Sequence, residues 1–107
     1  MNITPPAELE ALFEDMKKEL LESNIEAALE YFIPLSQKKY RKIFTEKGEQ
    51  LSSWVEAIPQ IKPDYIHTDT ARYTFEIQEE IDEQIETVIY DVIFVKDQYG
   101  VWKIDWF

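Results

Sequence analysis

His67 is the one histidine of the chain, standing in YIHT with Asp64 three residues before it and Asp69 two after. A histidine oriented by a carboxylate can act as a general base, because it gains and loses its proton near neutral pH. A partly exposed strand histidine beside a loop explains the same residues more simply, and that account is preferred. One histidine and no cysteine cannot assemble the several nitrogen or sulfur ligands of a zinc site, so no metal is assigned. The acidic run Glu79, Glu80, Asp82 and Glu83, with Glu86 just beyond, offers oxygen ligands of the kind calcium takes. It lacks the spacing and the glycine of an EF-hand loop, and a solvated hairpin tip accounts for it. Lys38, Lys39, Arg41 and Lys42 form the one basic cluster. In the first turns of a helix they oppose the dipole, which marks them as candidates for an anion or an acidic partner. The aromatics Tyr73, Phe75, Tyr90, Phe94 and Trp102 can line a cavity for a small apolar ligand, with tyrosine hydroxyls orienting it. A packed interior is the competing account.

The bulk properties limit which chemistry is available. A chain of 107 residues, 45% hydrophobic and 14% aromatic, makes one ordered domain with one core. The net charge of −11 is uneven: residues 1–58 carry 7 basic and 11 acidic side chains, residues 59–107 carry 4 and 11. Such a surface repels phosphate backbones and anionic headgroups, so neither nucleic acid nor a membrane surface is expected as a partner. No apolar run approaches the ~20 residues of a membrane span. MNITPPAELE lacks the basic and apolar regions of a signal peptide. None of this assigns a compartment.

Periodicity supplies the elements. Thr4-Pro5 suits a helix start, and Leu9, Leu12, Phe13, Met16 and Leu20 keep one apolar stripe, predicting a helix over about 5–22. Asn24 can cap a second, about 25–33, with Ile25, Ala28, Leu29 and Phe32 inward and Pro34 as the stop. Ser36 can cap a third, about 36–58, bent or broken near Gly48. After Pro59 the period drops to two. Strands are predicted over about 64–69, 71–78, 85–96 and 101–106, with Pro63 confining the first to an edge. EEIDEQ (79–84) and DQYG (97–100) are the turns. The result is an α+β domain: N-terminal helices on a curved antiparallel β-meander.

Alternation sorts the side chains onto two faces. Tyr73, Phe75, Ile77, Val88, Tyr90, Val92, Phe94, Trp102, Ile104 and Trp106 face the helices, and none is an acid. Ile89, Ile93 and Val95 stripe the other face, with Thr87 and Asp91 between them. An apolar strip of this kind marks an interface, and a symmetric sheet-to-sheet homodimer would cover it.

Two stretches carry a resemblance. NIEAALEYFIPLSQKKYRKIF is similar to a run found in small domains of the nuclear transport factor 2-like (cystatin-like) superfamily. VIYDVIFVKDQYGVWKIDWF resembles that group's closing hairpin, in which a strand, a turn ending in glycine and W-K-I are consecutive. The resemblance implies a cone, with the sheet curled around the helices and a pocket between them, and dimers formed through the outer sheet face. The superfamily holds isomerases, dehydratases, transport factors and binding domains. Its enzymes place an aspartate, or a histidine with an aspartate, in the pocket, and no position found here by alternation matches those acids. The expectation is therefore a non-catalytic binding or interaction domain without a cofactor. The alternatives are a small-molecule isomerase or dehydratase using His67 or a tyrosine with an acid, and a structural domain appended to a larger secreted protein.

Overall fold

The computed structural model describes residues 7–107, so the proposed helix start at Thr4-Pro5 lies outside the described residues. The chain is α+β, with helices packed on one face of a curved antiparallel sheet. Helix α1 (Ala7–Leu21) buries Leu9, Phe13, Met16 and Leu20, the stripe its periodicity dictates. Lys17 is buried with them: its ammonium donates to the Ile58 carbonyl at 2.9 Å and to Glu14 Oε1 at 3.3 Å. That bond gives a backbone acceptor just past α4 (Leu51–Glu56) a partner from α1.

Helix α2 (Ile25–Leu29) is shorter than its apolar pattern suggests, and Pro34 is not its stop. Glu30 and Tyr31 turn out of the helix, and Phe32 then forms an isolated parallel bridge to Ile104 of β4 (Trp102–Trp106). The Ile33 amide donates to the Ile104 carbonyl at 3.0 Å and the Ile104 amide to the Tyr31 carbonyl at 2.7 Å. Satisfying those β4 groups outweighs one more helical turn. Pro34 is instead the first residue of α3 (Pro34–Lys47), where its missing N–H costs nothing. Neither Asn24 nor Ser36 caps a helix through its side chain. Asn24 donates to Glu19, and the Ser36 hydroxyl donates to the Asp105 carbonyl at 2.7 Å. Gly48, at φ +51°, ends α3, and a 3-10 turn over Gly48–Gln50 leads into α4.

The sheet has the order β1-β2-β3-β4, with β1 (Lys62–Ile66), β2 (Thr70–Ile81) and β3 (Gln84–Lys96) completing it. Pro63 does lie in an edge strand, as its missing donor requires, and the register slips between Pro63 and Tyr65. In the second turn the Asp97 carboxylate accepts from the Tyr99 and Val101 amides, and Gly100 takes φ +76°. The first turn is much tighter than a six-residue loop. Asp82 and Glu83 alone connect β2 to β3, at φ +51° and +66°. Two positive φ values in a two-residue connection match the right-handed twist of the flanking strands. Beyond Thr74 on β2 and before Ile93 on β3 neither strand has an outer neighbour. The pair therefore continues as a two-stranded ribbon.

One irregularity revises the predicted faces. On β3 the residues Ile93 and Phe94 are consecutive, but their β4 partners are Trp106 and Ile104. Asp105 is the extra residue of a β-bulge, which reverses the alternation after it. Trp102 and Ile104 are buried, whereas Trp106 lies outside beside Ile93 and is 43% exposed. Phe107 turns inward in its place. Its ring stacks on Tyr40 (5.4 Å, 12°) and on Trp54 (5.9 Å, 26°), and meets Phe13 edge-on at 5.2 Å. The Tyr40 hydroxyl fixes this end of the chain, accepting from the Phe107 amide at 2.8 Å and donating to its carbonyl at 3.1 Å.

Candidate functional site

Between α4 and the inner face of the ribbon is a cavity of about 290 Å³. Helix α4 contributes Trp54, with Ala57 and Ile58 just beyond its end; β2 contributes Phe75, Ile77 and Glu79; Tyr90 comes from β3, and Phe107 closes the inner end. Phe75 and Tyr90 are cross-strand partners, so their rings stack at 5.3 Å and 13°. Phe107 and Trp54 form the second stacked pair, and the wall is therefore largely π-surface. Trp54 also carries the Lys47 ammonium over its ring, 4.3 Å from the centroid.

Glu79 is the one charged side chain in this wall, and sequence reasoning placed it in a loop. Because the turn is only Asp82-Glu83, β2 runs on to Ile81 and carries Glu79 onto the same face as Tyr73, Phe75 and Ile77. The expectation that no acid faces the pocket is therefore corrected. The signal was present in the odd-numbered alternation, which continues unbroken from Tyr73 to Glu79. The Tyr90 phenol donates a hydrogen bond to Glu79 Oε1. That bond holds the phenol above its ordinary range, with burial adding to the effect, so Tyr90 keeps its proton at neutral pH.

Of the five aromatics predicted to line a cavity, only Phe75 and Tyr90 do so. Tyr73, Phe94 and Trp102 are packed core, with the Tyr73 and Phe94 rings edge-to-face at 5.4 Å. They lie toward the four-stranded end of the sheet, away from the ribbon that lines the cavity.

The remaining candidates are dispersed. His67 is exposed against the Tyr65 ring, and its neighbours are otherwise engaged. Asp64 accepts from Arg72 at 2.7 Å, and the Asp69 carbonyl accepts from the Lys96 amide at 2.9 Å. Among the described residues no carboxylate is hydrogen-bonded to the imidazole. In the basic cluster Arg41 is held by Glu26 through two 2.8 Å hydrogen bonds, which keep the Glu26 carboxyl below its usual range. Lys39 lies over the Tyr40 ring, and Lys38 and Lys42 are exposed. Glu80, Asp82, Glu83 and Glu86 are exposed at the ribbon tip, and among the described residues no three acidic or histidine side chains come together to hold a metal. No helix among them is long and apolar enough to cross a membrane.

On the outer face Ile89 is 63% exposed, Ile93 and Val95 are half-buried, and Trp106 joins them because of the bulge. The face is thus wider than three β3 residues. Compared with protein-family models and with curated proteins, the chain matches none.

Proposed function

We propose that the chain is a non-catalytic binding domain of the nuclear transport factor 2-like kind, taking a small, largely apolar ligand between α4 and the ribbon. What supports the family is the order of elements, helices followed by a four-stranded meander. What carries the function is the cavity: about 290 Å³, walled by four aromatic rings, between α4 and the ribbon. That volume is roughly twice the 150 Å³ that accommodates a benzene, so a ring with a short chain fits. The test uses N-phenylnaphthylamine, whose fluorescence rises on entering an apolar site. Saturable enhancement is expected for the unaltered chain. It should be lost in Ala57→Trp, which fills the rim from an exposed position. Equal enhancement in both proteins removes the cavity from consideration.

Tyr90 with Glu79 also favours a second reading, an isomerase or dehydratase using a phenol and an acid. In the resting geometry the phenol's hydrogen is committed to Glu79 and is not free to polarise a substrate carbonyl. The binding reading therefore ranks first.

The outer face supports self-association. A homodimer would cover Ile89, Ile93, Val95 and Trp106 by stacking sheet on sheet. Light scattering across a gel-filtration peak at micromolar concentration should give twice the 12.8 kDa chain mass. The monomer mass alone would exclude the dimer.

A further inference from the structure

We propose that the ligand is an ammonium: a small primary or secondary amine bearing an aromatic or branched apolar group, with Glu79 receiving its charge. This rests on the cavity reading above and adds the class of ligand. The hydrogen-bond inventory of the wall decides it. Apart from the Trp54 indole, only Glu79 and Tyr90 bring polar side-chain atoms to the cavity. Tyr90 spends its hydrogen on Glu79 Oε1, so the pair presents lone pairs alone: the phenol oxygen and the second carboxylate oxygen. A carbonyl, carboxylate or phosphate on the ligand would meet acceptors there and gain nothing. A hydrogen-bond donor is required, an O–H or an N–H, and charge decides between them.

Charge points the same way. Glu79 forms no ion pair among the described residues, so a carboxylate stands in an aromatic-walled cleft without a compensating cation. A bound ammonium supplies that cation and converts the acceptor into a charge-assisted hydrogen bond. The aromatic faces favour the same species, since a cation is attracted to the face of a π-system. Trp54 already does this toward Lys47. The net charge of −11 raises the concentration of cations near the whole surface, but it does not select a site.

The experiment titrates the full chain with phenethylammonium chloride and, in parallel, with phenylethanol, its neutral analogue of nearly equal shape, following amide shifts by NMR at neutral pH and physiological salt. The ammonium should bind at least roughly tenfold more tightly, the size expected of one charge-assisted hydrogen bond. Glu79→Gln should remove that advantage, because glutamine keeps the shape and an acceptor for Tyr90 but carries no charge. Equal affinities on the unaltered chain overturn the proposal and leave the cavity reading standing. An ammonium affinity unmoved by Glu79→Gln also overturns it, since the attraction is then general to the acidic surface. Binding of neither ligand, together with no response to N-phenylnaphthylamine, defeats both. Should Glu79→Gln melt early, the comparison of the two ligands on the unaltered chain still decides.

Discussion

Phe107→Ala lowers stability by about 3 kcal/mol, the low end for truncating a core phenylalanine because the ring keeps a partly exposed edge. Trp106→Ala, one residue earlier and larger, costs less than about 1 kcal/mol, the scale of a cross-strand pair on a solvated face. The contrast follows from the Asp105 bulge. Phe107 touches Phe13, Phe32, Tyr40 and Trp54, rings from α1, α3, α4 and the segment between α2 and α3, so its removal opens a void bounded by groups that cannot collapse together. Trp106 has Ile93 as its β4–β3 partner and solvent beyond. Urea unfolding of the two variants measures both values. The reverse order would place Trp106 in the core and remove the bulge. Since a domain of this size has roughly 5–15 kcal/mol in total, Phe107→Ala should shift the urea midpoint plainly.

Tyr73→Phe raises stability, by about 1–3 kcal/mol. Tyr73 is fully buried, with its ring fixed against Phe94, and its hydroxyl has no hydrogen-bond partner among the described residues. Burial, and then the nearby Glu10, hold this phenol above its ordinary range, which is the same desolvation seen through its acidity. Deleting the hydroxyl keeps the ring, its rotamer and its packing, and removes only the cost of burying a polar group unpaired. Urea unfolding of Tyr73→Phe beside the unaltered chain gives the sign. A loss of stability would mean that the hydroxyl is bonded through an ordered water in solution.

The residues that were legible in the sequence are those governed by an uninterrupted period. Leu9, Phe13, Met16 and Leu20 read directly as a buried stripe, and Tyr73 to Ile77 as one face of a strand. What escaped was set by single residues that break no local rule. Asp105 has no glycine or proline beside it to announce a bulge, and the Ser36 hydroxyl that braces its carbonyl is 69 residues away in the chain. Asp82-Glu83 occupies a turn usually marked by Asn-Gly, so its six-residue acidic surroundings read as a loop and Glu79 was lost from the inner face. The helical period that carries Phe32 inward says nothing of its bridge to Ile104, a long-range pairing that no local window contains. The candidate site suffered most. Its walls come from α4, β2, β3 and Phe107: alternation puts Phe75, Ile77 and Tyr90 on that face, but no local pattern brings Trp54 or Phe107 to them.

The two-stranded ribbon has a colloidal consequence. Backbone donors and acceptors along Phe75–Ile81 and Gln84–Val92 that are not used between the two strands face outward, and Ile85 and Ile89 beside them are more than half exposed. Such an edge is a template on which further copies can grow into a fibril. Glu76, Glu80, Asp82, Glu83 and Glu86, spread along that ribbon, keep approaching copies apart for as long as they are charged. Acidification toward the isoelectric point of about 4.4 strips away this mutual repulsion, and the exposed edge is then where precipitation begins.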